Sequence, residues 1–254
     1  MTNNDCELIF GDCLEEMEKI EDRSIELIAA DLPYGVSNNK WDAVIDLKEM
    51  WTAFERITTE NGIVVLTGTQ PFVSTLIVSN KEYCKKLKFK YDLIWEKTIS
   101  SGQLNVRHQP MRNHEHVLVF AKPKPTYNEQ KTKGEPYKIT RKLKKYNESE
   151  HRSANYGAQK DEIRKENDGY RHAKSVIKIS NPRIRGGHPT QKPEALMTHI
   201  VKAYSNEGTT VLDCCMGSGT TGVSALKENR KFIGIENDEG YFKTAKERIE
   251  EILR

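Results

Sequence analysis

Two short stretches hold residue types that could do chemistry together. The first is Asp31-Leu32-Pro33-Tyr34, at the end of the apolar run Ser24–Asp31. A carboxylate, a carbonyl oxygen and an aromatic ring within four residues suit a planar amino group. An exocyclic amine on a nucleobase is a poor nucleophile, because its lone pair is delocalised into the ring. The Asp31 carboxylate and the Pro33 carbonyl could each accept one N–H, leaving the nitrogen free to pyramidalise toward an electrophilic methyl group. Tyr34 could stack on the ring, a task that Phe or Trp would also perform. A base inside a duplex cannot reach such a site, so base flipping is implied. The plain alternative is a strand end with a Pro-containing turn against which Tyr34 packs.

The second stretch is Gly217-Ser218-Gly219-Thr220-Thr221-Gly222, a G-x-G-x-x-G pattern between an apolar strand and a helix. Glu236 ends the next strand, where a carboxylate can bind ribose hydroxyls. NAD is the first candidate for such a loop. Two observations weigh against it. Asp213 ends the strand before the loop and would repel a pyrophosphate, and too little chain follows for a second mononucleotide half. S-adenosylmethionine fits better: it carries an α-amino group, a sulfonium and a ribose, and no phosphate. A P-loop is excluded, since no Gly-Lys-Ser/Thr follows.

These residues need a sheet to position them. Strand-like stretches are expected at 7–12, 24–31, 63–68, 91–97, 115–122, 209–214 and 231–236. Helices are expected at 13–20, 46–58, from Pro71 onward, and at 193–205, 220–229 and 239–253. Asn61-Gly62 reads as a break before the 63–68 strand, and 91–97 with 115–122 reads as an antiparallel pair, since no helix separates them. The repeated β-α units imply an α/β fold: a doubly wound, mostly parallel sheet with helices on both faces. Ligands of such sheets bind outside the carboxyl ends of the strands, where Asp31 and Asp213 both fall.

The 254 residues suit one large domain, or one domain with an insertion. With 30% charged residues and no long apolar run, the chain reads as a soluble cytoplasmic protein with no membrane partner. Its five cysteines include no CxxC pair and read as reduced thiols. Charge is unevenly spread. Residues 122–185 carry 18 Lys and Arg against 8 Asp and Glu, a surplus of +10; the chain totals +3, so the remainder carries −7. A basic segment in an otherwise acidic protein points to a polyanion partner, or else to a solvated lysine-rich insertion. His114 and His116 share a strand face, but no third metal ligand is evident, so no metal is expected.

The motifs and their order resemble the β class of amino-group (N6-adenine or N4-cytosine) DNA methyltransferases, in which the catalytic motif precedes the cofactor motif. The resemblance covers 1–122 and 186–254. That family's catalytic pattern is [DNS]-P-P-[YFW]; here Leu32 replaces the first proline and Pro33 keeps the second. Its cofactor pattern D-P-F-x-G-S-G-T-T reads D-C-C-M-G-S-G-T-T at Asp213–Thr221, with Cys215 in place of the aromatic. Gly186–Leu196 and Phe10–Met17 match its two remaining segments. The resemblance implies a Rossmann-like S-adenosylmethionine-dependent sheet, circularly permuted so that the glycine loop comes last. It also implies three parts: 1–122, the catalytic half; 123–185, a target-recognition insertion; and 186–254, the cofactor-binding half.

By resemblance, Asp31, Pro33 and Tyr34 are catalytic. Asp12 and Cys13 would lie against the cofactor's adenine, and His188, Thr190 and Lys192 beside its methionine part. Asp31, Asp213, Cys215, Gly217, Ser218, Gly219, Thr220, Glu236 and Asn237 complete the expected cofactor site. Lys142, Lys144, Lys145, Arg152, Arg183 and Arg185 would meet double-stranded DNA, their charges neutralising phosphates. Tyr127, Tyr137, Tyr146, Tyr156 and Tyr170 read as small-domain core rather than as a stacking platform. Asn38–Asp42 would form a loop over the base pocket, with Trp41 as core in the plainer reading. A homodimer and a cognate restriction endonuclease are the protein partners such enzymes take. No Pro-Cys pair occurs, which counts against C5-cytosine chemistry, and Asp at the first catalytic position favours N6-adenine over N4-cytosine. The competing functions are an RNA or protein amino-group methyltransferase and a non-catalytic DNA-binding regulator.

Overall fold

The computed structural model describes residues 5–35, 44–137, 167–181 and 191–254. Ten strands are described: β1 (Cys6–Phe10), β2 (Ile25–Ala30), β3 (Thr58–Gly68), β4 (Lys88–Ser101), β5 (Arg112–Ala121), β6 (Thr132–Lys133), β7 (Tyr170–Arg171), β8 (Val176–Lys178), β9 (Thr210–Asp213) and β10 (Lys231–Glu236). The helices are α1 (Cys13–Glu18), α2 (Leu47–Ile57), α3 (Phe72–Tyr83), α4 (Glu194–Tyr204), α5 (Thr220–Lys227) and α6 (Glu239–Leu253). Eight strands form one sheet in the order β1-β10-β9-β2-β3-β5-β4-β8. β5 runs antiparallel to both of its neighbours, and the other pairings are parallel.

Alternation along the strands divides the core in two. Ile28 and Ala30 of β2, Val64 and Leu66 of β3, and Leu118 and Phe120 of β5 face α1, α2 and α3. Leu27 and Ala29, Ile63 and Val65, and Val117 and Val119 face α4, α5 and α6. All six residues of β2 are buried, as expected of a strand covered on both faces. The helices dock by apolar stripes. In α2 the buried residues are Met50, Trp51, Phe54 and Ile57, at helical spacing. Asp46 caps that helix by accepting from the Glu49 amide at 2.9 Å. Trp51 is fully buried, and its indole N–H donates to Ser79 Oγ at 2.9 Å, so its one polar atom is satisfied.

The expected break at Asn61-Gly62 takes another form. β3 runs unbroken from Thr58 to Gly68, but its register with β2 jumps between the Ile25–Thr58 and Leu27–Ile63 pairs. The chain bulges there and then resumes the ladder.

The strand order contains one reversal. β9 leads through α5 to β10 on one side, whereas β2 leads through α2 to β3 on the other. β9 and β2 are themselves paired. The chain therefore departs in opposite directions above their carboxyl ends, which opens a crevice where open α/β sheets bind ligands.

Residues 129–173 form a second compact unit, within the basic stretch 122–185. Its described part holds the β6–β7 pair, with the Arg171 guanidinium 4.5 Å from the Tyr137 ring centroid. Tyr137 and Tyr170 are exposed rather than core. Tyr127 belongs to the larger unit, where its ring lies 6.0 Å from that of Tyr204. Val176–Lys178, also in the basic stretch, pairs with β4 in the main sheet. Tyr146, Tyr156 and the 38–42 loop with Trp41 lie outside the described residues. Among the described residues, no helix is long and apolar enough to cross a membrane.

Candidate active site

A cavity of about 510 Å³ sits at the carboxyl ends of β9, β2 and β1. Asp31 follows β2 directly and is held from three sides. Its Oδ1 accepts from the Tyr34 hydroxyl at 2.5 Å and from Thr67 Oγ1 at 2.5 Å. Its Oδ2 accepts from the Lys192 ammonium. A carboxylate offers about four acceptor positions. Among the described residues, Oδ1 is thus filled and one position remains on Oδ2. The Tyr34 hydroxyl, for which stacking gave no use, helps fix the carboxylate plane. Its ring packs 5.2 Å from that of Phe72.

Lys192 is buried between two carboxylates, with its ammonium 3.4 Å from Glu115 Oε2. Glu115 also takes the Lys97 ammonium. Burial opposes the charge on Lys192, but the carboxylates of Asp31 and Glu115 outweigh it and hold the ammonium above its ordinary value. Burial, with the same two carboxylates, pushes the Tyr34 hydroxyl well above its ordinary value. Tyr34 therefore stays protonated and donates to Asp31 throughout the neutral range. Lys192, expected beside the methionine part of a cofactor, lies against the Asp31 carboxylate.

The glycine loop is tied down by two acidic residues. Asp213 accepts from the Cys215 amide at 3.1 Å and from Thr221 Oγ1 at 2.5 Å. Burial raises its carboxyl to about 7, although both hydrogen bonds pull the other way. Glu236 accepts from the amides of Gly217, Asn237 and Asp238 at 2.8, 3.0 and 2.9 Å. Burial raises its carboxyl too, against those three bonds. Asp12 caps α1, taking the Leu14 amide at 2.9 Å.

Asp12, Cys13, Asp31, Lys192, Asp213, Cys215, Gly217, Ser218, Thr220, Glu236 and Asn237 all line the cavity, with Pro33 and Tyr34. Gly219 does not line it. A Cβ there would come within 3.0 Å of the Ala245 Cβ, so its glycine lets α6 pack against the loop. Gly217 has φ 51°, and an added Cβ would meet nothing within 4 Å; it leaves the cavity floor open. His188, Thr190, Lys142, Lys144, Lys145, Arg152, Arg183 and Arg185 lie outside the described residues.

Sequence reasoning missed Thr67, Glu115 and Gln191. Gln191 accepts from Ser218 Oγ at 3.0 Å. Thr67 is the one polar residue of the 63–68 run, at its carboxyl end. Glu115 alternates with His114 and His116 and so faces away from both. For Thr67 the available signal was a polar residue at the carboxyl end of a buried strand; Glu115, near the amino end of β5, and Gln191, outside any strand, carried no such signal. His116 Nδ1 lies 2.9 Å from Asp92 Oδ2, and the described residues hold no group of three or more side chains placed to bind a metal.

The lining suits the expected ligand. Among the described residues, six carboxylic side chains (Asp12, Asp31, Asp46, Glu115, Asp213 and Glu236) line the cavity beside one basic residue, Lys192. That balance disfavours a pyrophosphate and suits a cationic molecule bearing a ribose.

This is the fold of S-adenosylmethionine-dependent DNA methyltransferases. The structure of M1.HpyAVI with S-adenosylmethionine is 24% identical, with a TM-score of 0.64, and covers 96% of this chain and 99% of its own. PvuII DNA methyltransferase, described as cytosine-N4-specific, is 17% identical, with a TM-score of 0.65, over 98% and 90%. A family model described as DNA methylase, of N6 and N4 type, matches residues 25–247. The DNA adenine methyltransferase YhdJ of Escherichia coli is 31% identical, over 96% of this chain and 82% of YhdJ. The chain belongs to the N6/N4 DNA methylase family, and S-adenosylmethionine is the family's methyl donor.

Proposed function

We propose that this protein methylates the exocyclic N6 of adenine in a flipped-out base of double-stranded DNA. The observation that carries the reading is the state of Asp31. Among the described residues, three donors fix its carboxylate at the cavity wall, and one acceptor position on Oδ2 remains for an amine hydrogen. The Pro33 carbonyl would take the second hydrogen, and Tyr34 would support the base. With both hydrogens held, the nitrogen lone pair is turned out of conjugation. Tyr34, Thr67 and Lys192 all donate to Asp31, so its carboxylate is set to accept. Bound S-adenosylmethionine supplies the electrophilic methyl group. Glu236, Asp12, Asn237 and the open backbone at Gly217 would hold its ribose and adenine, and Asp213 would counter its positive charge. Reaching this cavity requires a base to leave its stack.

Adenine is favoured by the aspartate at position 31 and by the likeness to YhdJ, a protein named as an adenine methyltransferase. N4-cytosine is the second reading, because the PvuII enzyme, described as cytosine-N4-specific, shares the fold. Long-read sequencing of DNA from cells expressing the protein reports base and position together. N6-methyladenine at a fixed sequence is the expected result. N4-methylcytosine would replace the adenine reading, and unmodified DNA with methylated RNA or protein would replace both.

A further inference from the structure

We propose that the β4–β5 hairpin tip, residues 102–111, is a second DNA-contacting element, and that Leu104 enters the duplex as a wedge beside the flipped base. The inference rests on the reading of the cavity as a base site. β4 and β5 pair Ile94 with His116, and His116 with Gly68 at the end of β3. The ladder then continues to the Ser101–Arg112 pair. Four further residues of β5 at about 3.3 Å each carry it about 13 Å past the end of β3, with the tip beyond. This is the edge of the sheet that holds the cavity. A duplex delivering a base there must lie alongside the hairpin.

The base of the hairpin belongs to the site itself, through the ion pairs of Lys97 with Glu115 and of Glu115 with Lys192. Its surface chemistry suits nucleic acid. Residues 97–114 hold Lys97, Arg107, Arg112, His108 and His114, and no Asp or Glu. Every residue from 101 to 114 is exposed, and Leu104 is 99% exposed, with exposed Val106 and Met111 nearby. An apolar side chain held wholly in water contributes nothing to the core. The tip and the strand that leads into it are nonetheless held by hydrogen bonds. The amides of Asn105 and His108 donate to the carbonyls of Gly102 and Asn105 at 3.0 and 2.9 Å, and the Ile99 amide donates to Asn181 Oδ1 at 3.1 Å. Apolar side chains inserted between base steps unstack them, and lifting a base out of the stack needs such help.

Two measurements on the full chain test this. The first is binding to a random-sequence 30-base-pair duplex by fluorescence anisotropy across a salt series. Arg107→Gln with Arg112→Gln should weaken it at least tenfold at low salt and reduce the log–log salt slope by about two. Unchanged affinity and slope would overturn the placement of DNA on the hairpin, whether or not the protein methylates anything. The second is labelled methyl incorporation into amplified, unmethylated genomic DNA, as duplex and after heat denaturation. Leu104→Ala should lower kcat/KM on duplex at least tenfold and stay within twofold of the parent on single strands. Equal loss on both substrates, or none, would overturn the wedge. If the parent protein methylates neither form, the reading of the cavity fails, and the salt series still decides the hairpin.

Discussion

Thr67→Val isolates one hydrogen bond to the Asp31 carboxylate, which we propose to be catalytic. Valine keeps the shape of threonine and removes only the hydroxyl that donates to Asp31 Oδ1 at 2.5 Å. Thr67 is buried at the end of β3, beside a strand fully covered on both faces, so the backbone has little reason to move. A hydrogen bond to a charged group is worth about 1.5–3 kcal/mol. Tyr34 and Lys192 would still hold Asp31, so the carboxylate would stay close to its place. It would, however, regain an acceptor position on Oδ1 and freedom to turn. The amine hydrogen could then be taken in more than one orientation, and small misplacements of reacting atoms are costly. A loss of about 1.4–2.8 kcal/mol in the transition state lowers kcat about 10- to 100-fold. Single-turnover methylation of duplex DNA measures this directly, with S-adenosylmethionine affinity by calorimetry as the control. Affinity should stay within twofold, and Thr67→Ser should restore most of the rate. A Thr67→Val protein with kcat within twofold of the parent would refute the claim that a clamped Asp31 orients the amine.

Asp31→Ala should abolish detectable transfer while the far-ultraviolet circular dichroism spectrum stays unchanged; near-parental rates would remove this tetrapeptide from the active site. Tyr34→Phe keeps the ring but loses the bond to Asp31, and should cost about tenfold in kcat, consistent with a charge-assisted hydrogen bond; a full-rate Phe variant would show that only the ring matters. The Asp213 carboxyl is raised to about 7 by burial, and a cationic ligand prefers its ionised form. Ligand affinity should therefore rise as pH rises through 7, by about tenfold between pH 6 and 8, and calorimetry should find this rise missing in Asp213→Asn. Replacing Lys142, Lys144 and Lys145 together by Ala should weaken DNA binding evenly across sequences and flatten its salt dependence, leaving cofactor affinity intact; anisotropy showing unchanged binding would clear this cluster of phosphate contact.

The sequence by itself determined the periodic and local features. Strand and helix registers are set by which residues are apolar, and these alternate or recur along the chain whatever they later touch. The 231–236 strand and the 239–253 helix coincide with β10 and α6. The two chemical stretches were legible because a glycine loop and a D-x-P-Y turn each act through neighbours within a few residues. Partnership across the fold was not legible. Lys192 lies 161 residues from Asp31 and Thr67 lies 36 residues from it, and neither spacing carries a pattern. Glu115 read as the middle of a histidine pair until the antiparallel β5 turned it toward the cavity. Gly219 matched a cofactor motif, yet its missing side chain makes room for α6. Only tertiary structure decided these roles, because burial and charge pairing arise when strands distant in sequence end at one edge of one sheet.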